Sequence, residues 1–202
     1  MPAERLPGWI QRFAERHGAP AWDGAADCVV LTAPDGALAT ITGTFVCWAV
    51  GEAAEAALER VQRSRTVGAI LVRRGGYAVG MFHGAQLLVS KVDSTYVQGK
   101  TKAGGWSQQR YARRRTNQTH HAYAEAADVA ARVLLPRTNE LEVVVGGGDR
   151  VGVEAVLADP RLTELRSRWT GDVLPTVDPR LRVLEAFAEQ FRSVTITLNS
   201  LA

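Results

Sequence analysis

Between Gly99 and Arg115 the chain sets glycines, amides and cations in an order suited to gripping a polyanion. The run reads Gly99-Lys100-Thr101-Lys102-Ala103-Gly104-Gly105-Trp106-Ser107-Gln108-Gln109-Arg110-Tyr111-Ala112-Arg113-Arg114-Arg115. Arginine can hold a phosphate with a two-pronged contact and lysine acts on it as a point charge. No acidic residue occurs between Asp93 and Glu125, whereas Lys100, Lys102, Arg110, Arg113, Arg114 and Arg115 all fall there. Setting these six aside from the 24 basic residues leaves 18 against 21 acidic ones, a balance of −3. The net charge of +3 therefore belongs to one segment, an electrostatic footprint for a polyanion where a merely solvated helix face would normally mix signs.

Two elements have to position these side chains. Residues 99–106 show no periodicity and hold three glycines, which marks a loop whose ordering costs entropy. Ser107 is the expected N-cap of a long helix running to about Leu135, where Pro136 stops it. Ala122, Ala126, Val129 and Val133 step by four, three and four, which predicts a buried stripe against a sheet. Arg110, Arg114, Asn117 and His121 make a second, polar stripe at the same spacing.

The surrounding pattern predicts the sheet. Residues 67–72, 77–82 and 87–97 are β-branched and apolar with short links, the signature of an antiparallel meander. Residues 141–145 read as a buried strand, Gly146-Gly147-Gly148 as a tight turn, and 151–157 as a short helix. Upstream, Leu6, Trp9, Ile10 and Phe13 fit an amphipathic helix over 6–17. It is followed by a strand at 28–31, a turn at Pro34-Asp35-Gly36, one or two strands within 38–48, and a helix over 52–63. Helices are also expected at 161–168 and 181–191. The fold class is α/β, a mixed β-sheet flanked by helices. Residues 1–20 are expected to form a helical extension and 21–202 a single domain. No stretch approaches the roughly 18 apolar residues of a membrane span, and the start does not read as a signal sequence, so a cytoplasmic protein is expected. Cys28 and Cys47 sit in apolar runs and are expected to be free, buried thiols.

Other chemistries fit less well. Adjacent helical positions such as His120 and His121 diverge by about 100°, which argues against a metal pair. The glycines at 146–148 lack the lysine of a phosphate loop and the full dinucleotide pattern. Ser107 has no strand-to-helix elbow or neighbouring base to activate it as a nucleophile. The basic segment has none of the converging carboxylates that a metal-dependent nuclease requires.

The run from Gly104 to Arg115 resembles the catalytic loop and following helix of the eukaryotic and archaeal class-one translation release factors. Gly104, Gly105, Ser107, Arg110, Tyr111, Arg113 and Arg115 match that pattern, and Trp106 departs from it, standing where the family carries its glutamine. A displaced glutamine is similar to the Vms-like branch of the family, most of all its actinobacterial members. The resemblance is strongest over 99–135 and implies a ribonuclease-H-like catalytic domain that hydrolyses peptidyl-tRNA on stalled ribosomes or large subunits. The alternative is a non-catalytic module that binds ribosomal or transfer RNA.

Carried over, the resemblance puts the catalytic role on Gln108 first and Gln109 second, with Gly104 and Gly105 giving close backbone approach. It makes Lys100, Lys102, Trp106, Arg110, Arg113, Arg114, Arg115 and His121 the RNA-contacting set. The partners it implies are peptidyl-tRNA and ribosomal RNA, with no cofactor, metal or membrane.

Overall fold

A computed structural model describes residues 1–49, 51–73, 76–93 and 106–202, with the side chains of residues 106–118 outside that description. The chain packs as two compact units, Met1–Ser64 with Glu189–Ala202, and Arg65–Ala188.

The unit Arg65–Ala188 is built on a five-stranded sheet. Strands β4 (Thr66–Arg73), β5 (Gly76–His83) and β6 (Gln86–Asp93) form the antiparallel meander. Strand β7 (Val143–Gly148) then lies parallel to β4, and β8 (Trp169–Leu174) parallel to β7, giving the order β6-β5-β4-β7-β8. The sheet is mixed and flanked by helices, as the pattern predicts. Ile70, Val72, Tyr77, Val79, Met81 and Val144 join one core with helix α3 (Trp106–Leu134) and helix α4 (Arg150–Leu157). From the other side of β7, Phe187 of helix α6 (Leu181–Phe191) reaches Gly147.

The triple glycine is the main departure from the sequence reading. Gly146 and Gly147 do not form the turn; they pair in register with Ile70 and Leu71 as part of β7. A Cβ at 146 would lie 2.8 Å from Val153 and 3.0 Å from the Asp172 carbonyl, and one at 147 would lie 3.0 Å from Leu71 and Phe187. Helices close onto this strand from both faces, so glycine serves packing rather than a bend. Only Gly148, at φ +92°, turns the chain toward α4.

In the other unit, β1 (Ala21–Ala25), β2 (Cys28–Thr32), β3 (Leu38–Thr42) and β9 (Thr195–Leu198) form an antiparallel sheet in that order. Helix α1 (Leu6–His17) and helix α2 (Ala54–Gln62) cover one face, where Leu6, Ile10, Phe13, Val29, Leu31, Ile41 and Val61 are buried together. Strands β1, β8 and β9 are absent from the sequence reading, since each is short and lies at a sheet edge. Residues 43–48 do not continue β3, because the chain turns where the Val46 N–H meets the Gly43 carbonyl. The helix expected over 161–168 is a 3-10 turn, Pro160–Leu162, and then α5 (Thr163–Ser167). Cys28 and Cys47 are free and half-buried rather than buried.

The glycine packing is testable. Gly146→Ala should lower stability by about 1–3 kcal/mol, read as a lower urea midpoint with an unchanged slope. An unchanged midpoint would mean that Val153 and β8 yield without cost.

Candidate functional site

Helix α3 carries most of the candidate residues, and its two halves differ in kind. At 29 residues it is about 43 Å long. From Ala122 onward it is anchored: Ala122, Ala126, Ala127, Val129, Ala130 and Leu134 are buried, and Val133 is partly buried against the same core. Four of these are alanines, whose small side chains let the helix axis come close to the sheet. Past Leu134 a 3-10 turn, Leu135–Glu140, ends the helix, and the Thr138 hydroxyl donates to the Leu135 carbonyl at 2.7 Å. Between Ser107 and His121, by contrast, Tyr111 and Ala112 are the only apolar residues. That half has no apolar stripe of its own to bury, so its position follows from the anchored half through helix continuity.

The helix starts at Trp106, one residue before the expected cap, so Ser107 lies inside the first turn. Trp106, Gln108, Gln109, Arg110, Arg113, Arg114 and Arg115 all take positions on α3, and their side chains lie outside the described residues. Lys100, Lys102, Gly104 and Gly105 fall in 94–105, also outside them. Helix register puts positions 110, 114 and 117 in line with His121. His121 itself is exposed, and its Nε2 lies 3.5 Å from a carboxylate oxygen of Glu125, an i,i+4 partner the sequence reading left out. Among the described residues no three His, Cys, Asp or Glu side chains gather as a metal site.

An ion pair also reaches the anchored half. The Arg161 guanidinium reaches Asp128 on α3 at 2.7 Å and Asp159 at 2.7 Å, while Asp159 also accepts from the Arg161 backbone N–H at 2.9 Å. Spacing alone gave no sign of the contact between Asp128 and Arg161.

The sheet contributes an edge. Strands β4, β7 and β8 run parallel and end on one side, and β6 ends there too at Asp93, where residues 94–105 leave for α3. The carboxyl edge of parallel strands is where open α/β sheets place their ligands. Here Arg73 donates to the Thr176 carbonyl at 2.5 Å, and the Asp149 N–H reaches the Val72 carbonyl at 2.8 Å. Beside them Tyr77 is buried, and that burial, reinforced by the nearby Asp93 charge, pushes its hydroxyl pKa up. The first turn of α4 is capped by Asp149, whose carboxylate accepts from the Val151 N–H at 3.2 Å. A negative side chain thus occupies the place a phosphate would need. With Gly146 and Gly147 inside β7, this removes the nucleotide-cradle reading.

Comparison with known proteins gives this arrangement a context. The chain is 33% identical over 109 residues to peptide chain release factor subunit 1 of Thermococcus onnurineus (strain NA1), covering 52% of this chain and 26% of that protein. The same factor from Pyrococcus abyssi (strain GE5 / Orsay) is 32% identical over 109 residues, again covering 52% and 26%. That from Archaeoglobus fulgidus is 30% identical over 90 residues, covering 45% and 22%. The chain thus spans about a quarter of the length of these curated relatives. Among solved structures, an archaeal translation termination factor, aRF1, aligns over 80% of this chain and 51% of its own, at 17% identity and a TM-score of 0.49. The relatives are translation release factors. Residues 65–197, more than half of the chain, match the model of the Actinobacteria/chloroflexi VLRF1 release factor, and the chain belongs to that family.

The tie at Arg161 predicts an acid response. Hydrogen bonds from the Arg161 side chain, then from its backbone N–H, lower the Asp159 pKa to about 2 from 3.8. Because the folded-state value is depressed, the stabilisation is fully present above about pH 4 and is lost as pH falls through about 2. Asp159→Asn should therefore flatten the acid limb of a melting temperature against pH profile. Parallel profiles for the two proteins would show that Asp159 carries no such linkage.

Proposed function

We propose that this chain hydrolyses the ester bond of peptidyl-tRNA and releases nascent chains from stalled ribosomes or large ribosomal subunits. The observation that carries the reading is the family match over 65–197, which takes in the whole run from Gly104 to Arg115. The anchored half of α3 supports it, because a rigid support is what a short catalytic loop needs to reach a substrate buried in a larger particle.

In the reaction, a water oxygen attacks the ester carbonyl carbon, and the carbonyl oxygen takes the negative charge. The bond to the terminal ribose oxygen then breaks, and that oxygen leaves with a proton. A strong base from the protein is not required if the ribosomal surroundings supply the proton path. Gln108 would hold the attacking water, since a neutral amide both donates and accepts hydrogen bonds. Gly104 and Gly105 would let the backbone approach the tRNA end and turn N–H groups toward the developing oxyanion.

Lys100, Lys102, Arg110, Arg113, Arg114, Arg115 and His121 would meet RNA phosphates, contacts that position without reading sequence. Trp106 would stack on an unpaired base. The implied setting is the cytoplasm, with no cofactor. A second reading, a binding module without catalysis, is favoured by the resemblance itself, which sets Trp106 where that family carries its glutamine.

Glutamine variants separate these readings. Positions 108 and 109 diverge by about 100° around the helix, so only one amide can face a given water. Gln108→Ala should slow single-turnover peptide release from isolated 50S–peptidyl-tRNA complexes by about a hundredfold, with Gln109→Ala milder and 50S binding retained in both. If the double variant released peptide at the parental rate, the glutamine mechanism would be wrong. Strongly salt-dependent binding without any release by the parent would identify the binding module instead.

A further inference from the structure

Met1–Ser64 lies outside the family match, and the unit it forms with Glu189–Ala202 presents a second prepared surface along β9, whose residues 195–197 fall inside the match. Strand β9 is an edge of its sheet. The Asn199 N–H donates to the Leu38 carbonyl, which sets the alternation: Thr197 and Thr195 exchange bonds with β3, while Ile196 and Leu198 turn their backbone groups outward. The outward groups of Val194 are already met, by Met1 on both its amine and its carbonyl, and Pro2 bridges Ser193 in antiparallel sense. Met1 and Pro2 thus pair with the outer side of Val194 and Ser193. Among the described residues nothing pairs with the outward groups of Ile196 and Leu198.

Beside this open stretch lie two depressions of about 340 and 280 Å³ that share Trp9 and Leu198. The larger is otherwise lined by Met1, Val194, Thr195 and Ile196, and the smaller by Phe13, His17, Ala202 and the two arginines Arg12 and Arg16. Both arginines are exposed, and among the described residues neither has a carboxylate partner. The Trp9 and Phe13 rings stack with centroids 5.4 Å apart, and His17 is held by Asp35 at 2.8 Å, so the wall is preformed.

We infer that this edge accepts an extended acidic peptide as an added strand, pairing with Ile196 and Leu198. One apolar side chain would lie over Trp9, and carboxylates two residues away would meet Arg12 and Arg16. The exposed backbone favours a peptide over RNA. Outward N–H and carbonyl groups repeating every second residue match another peptide chain in register, which a sugar–phosphate chain cannot reproduce. The cations set the sign of the partner, and the alternation along a strand sets the two-residue spacing of its side chains.

The probe is a fluorescein-labelled Thr-Glu-Thr-Leu-Thr-Glu-Thr peptide, which presents the same face in either direction, titrated into the full chain by anisotropy. Saturable binding is expected, with new hydrogen-exchange protection at Ile196 and Leu198. Binding should weaken about tenfold or more in Arg12→Glu/Arg16→Glu, and be lost when the peptide is N-methylated at alternate residues. An unchanged melting temperature for the double variant would separate lost binding from lost folding. No binding of the peptide, equal binding of its N-methylated form or of a lysine-for-glutamate peptide, or tighter binding of a uridine oligonucleotide at the same arginines would each overturn the assignment. None of these readouts depends on peptide release.

Discussion

The packing of the alanine-rich second half of α3 against β4 and β5 is the constraint on which the rest of the Arg65–Ala188 unit depends. Ala126, Ala127 and Ala130 are buried to within 2% of full exclusion, against Ile70, Val72, Tyr77 and Val79 in the same core. Such close approach leaves little slack, since interiors pack at the density of organic crystals. The helix axis is therefore set by the sheet, and the direction of the first half follows from continuity over a rod of about 43 Å. The glycines in the strands extend the same logic. Gly146 admits Val153 of α4, and Gly147 admits Phe187 of α6 from the opposite face.

Charge is divided along that rod. The acids of α3, Glu125 and Asp128, lie in the anchored half; Asp128 is taken up by Arg161, and Glu125 sits an i,i+4 step from His121. The preceding half is cationic without interruption in sequence. Exposed pairs of this kind add little to stability. Their effect is one of placement, keeping negative charge away from the cationic segment that is proposed to meet RNA phosphates.

Much of this was legible from the residues because the helix and strands announce themselves by period. Ala122, Ala126 and Val129 are buried where spacing puts them, and 67–72 and 77–82 sit inside β4 and β5. Strands β1 and β8 were not legible, because Trp22-Asp23-Gly24 and Thr170-Gly171-Asp172 carry turn residues and pairing with a neighbour outweighs their weak local preference; β9, Thr-Ile-Thr-Leu, has the preference but only four residues to show it. The glycine run misled for a related reason. Glycine marks both a bend and a close approach, and only the positions of Val153, Leu71 and Phe187 tell which one operates at 146 and 147. Of the candidate site, the helix that carries it was readable. The choice between Gln108 and Gln109 was not, because neighbouring positions on one helix differ only in azimuth.

Azimuth is also where Trp106 enters the argument. The helix begins at Trp106, so Gln108 and Gln109 stand on the first turn of α3 rather than in the glycine-rich stretch before it. A side chain on a helix has its direction set by the backbone, whereas one in a loop depends on how the loop is ordered. In the proposed mechanism an amide at position 108 or 109 would therefore start from helical backbone rather than from the glycine-rich stretch. Gly104 and Gly105 would not carry the amide in that mechanism; they would let the backbone pass close to the tRNA end and turn N–H groups toward the oxyanion. The proposed mechanism thus places its demand for precision on α3, whose second half is held against the sheet by alanine packing.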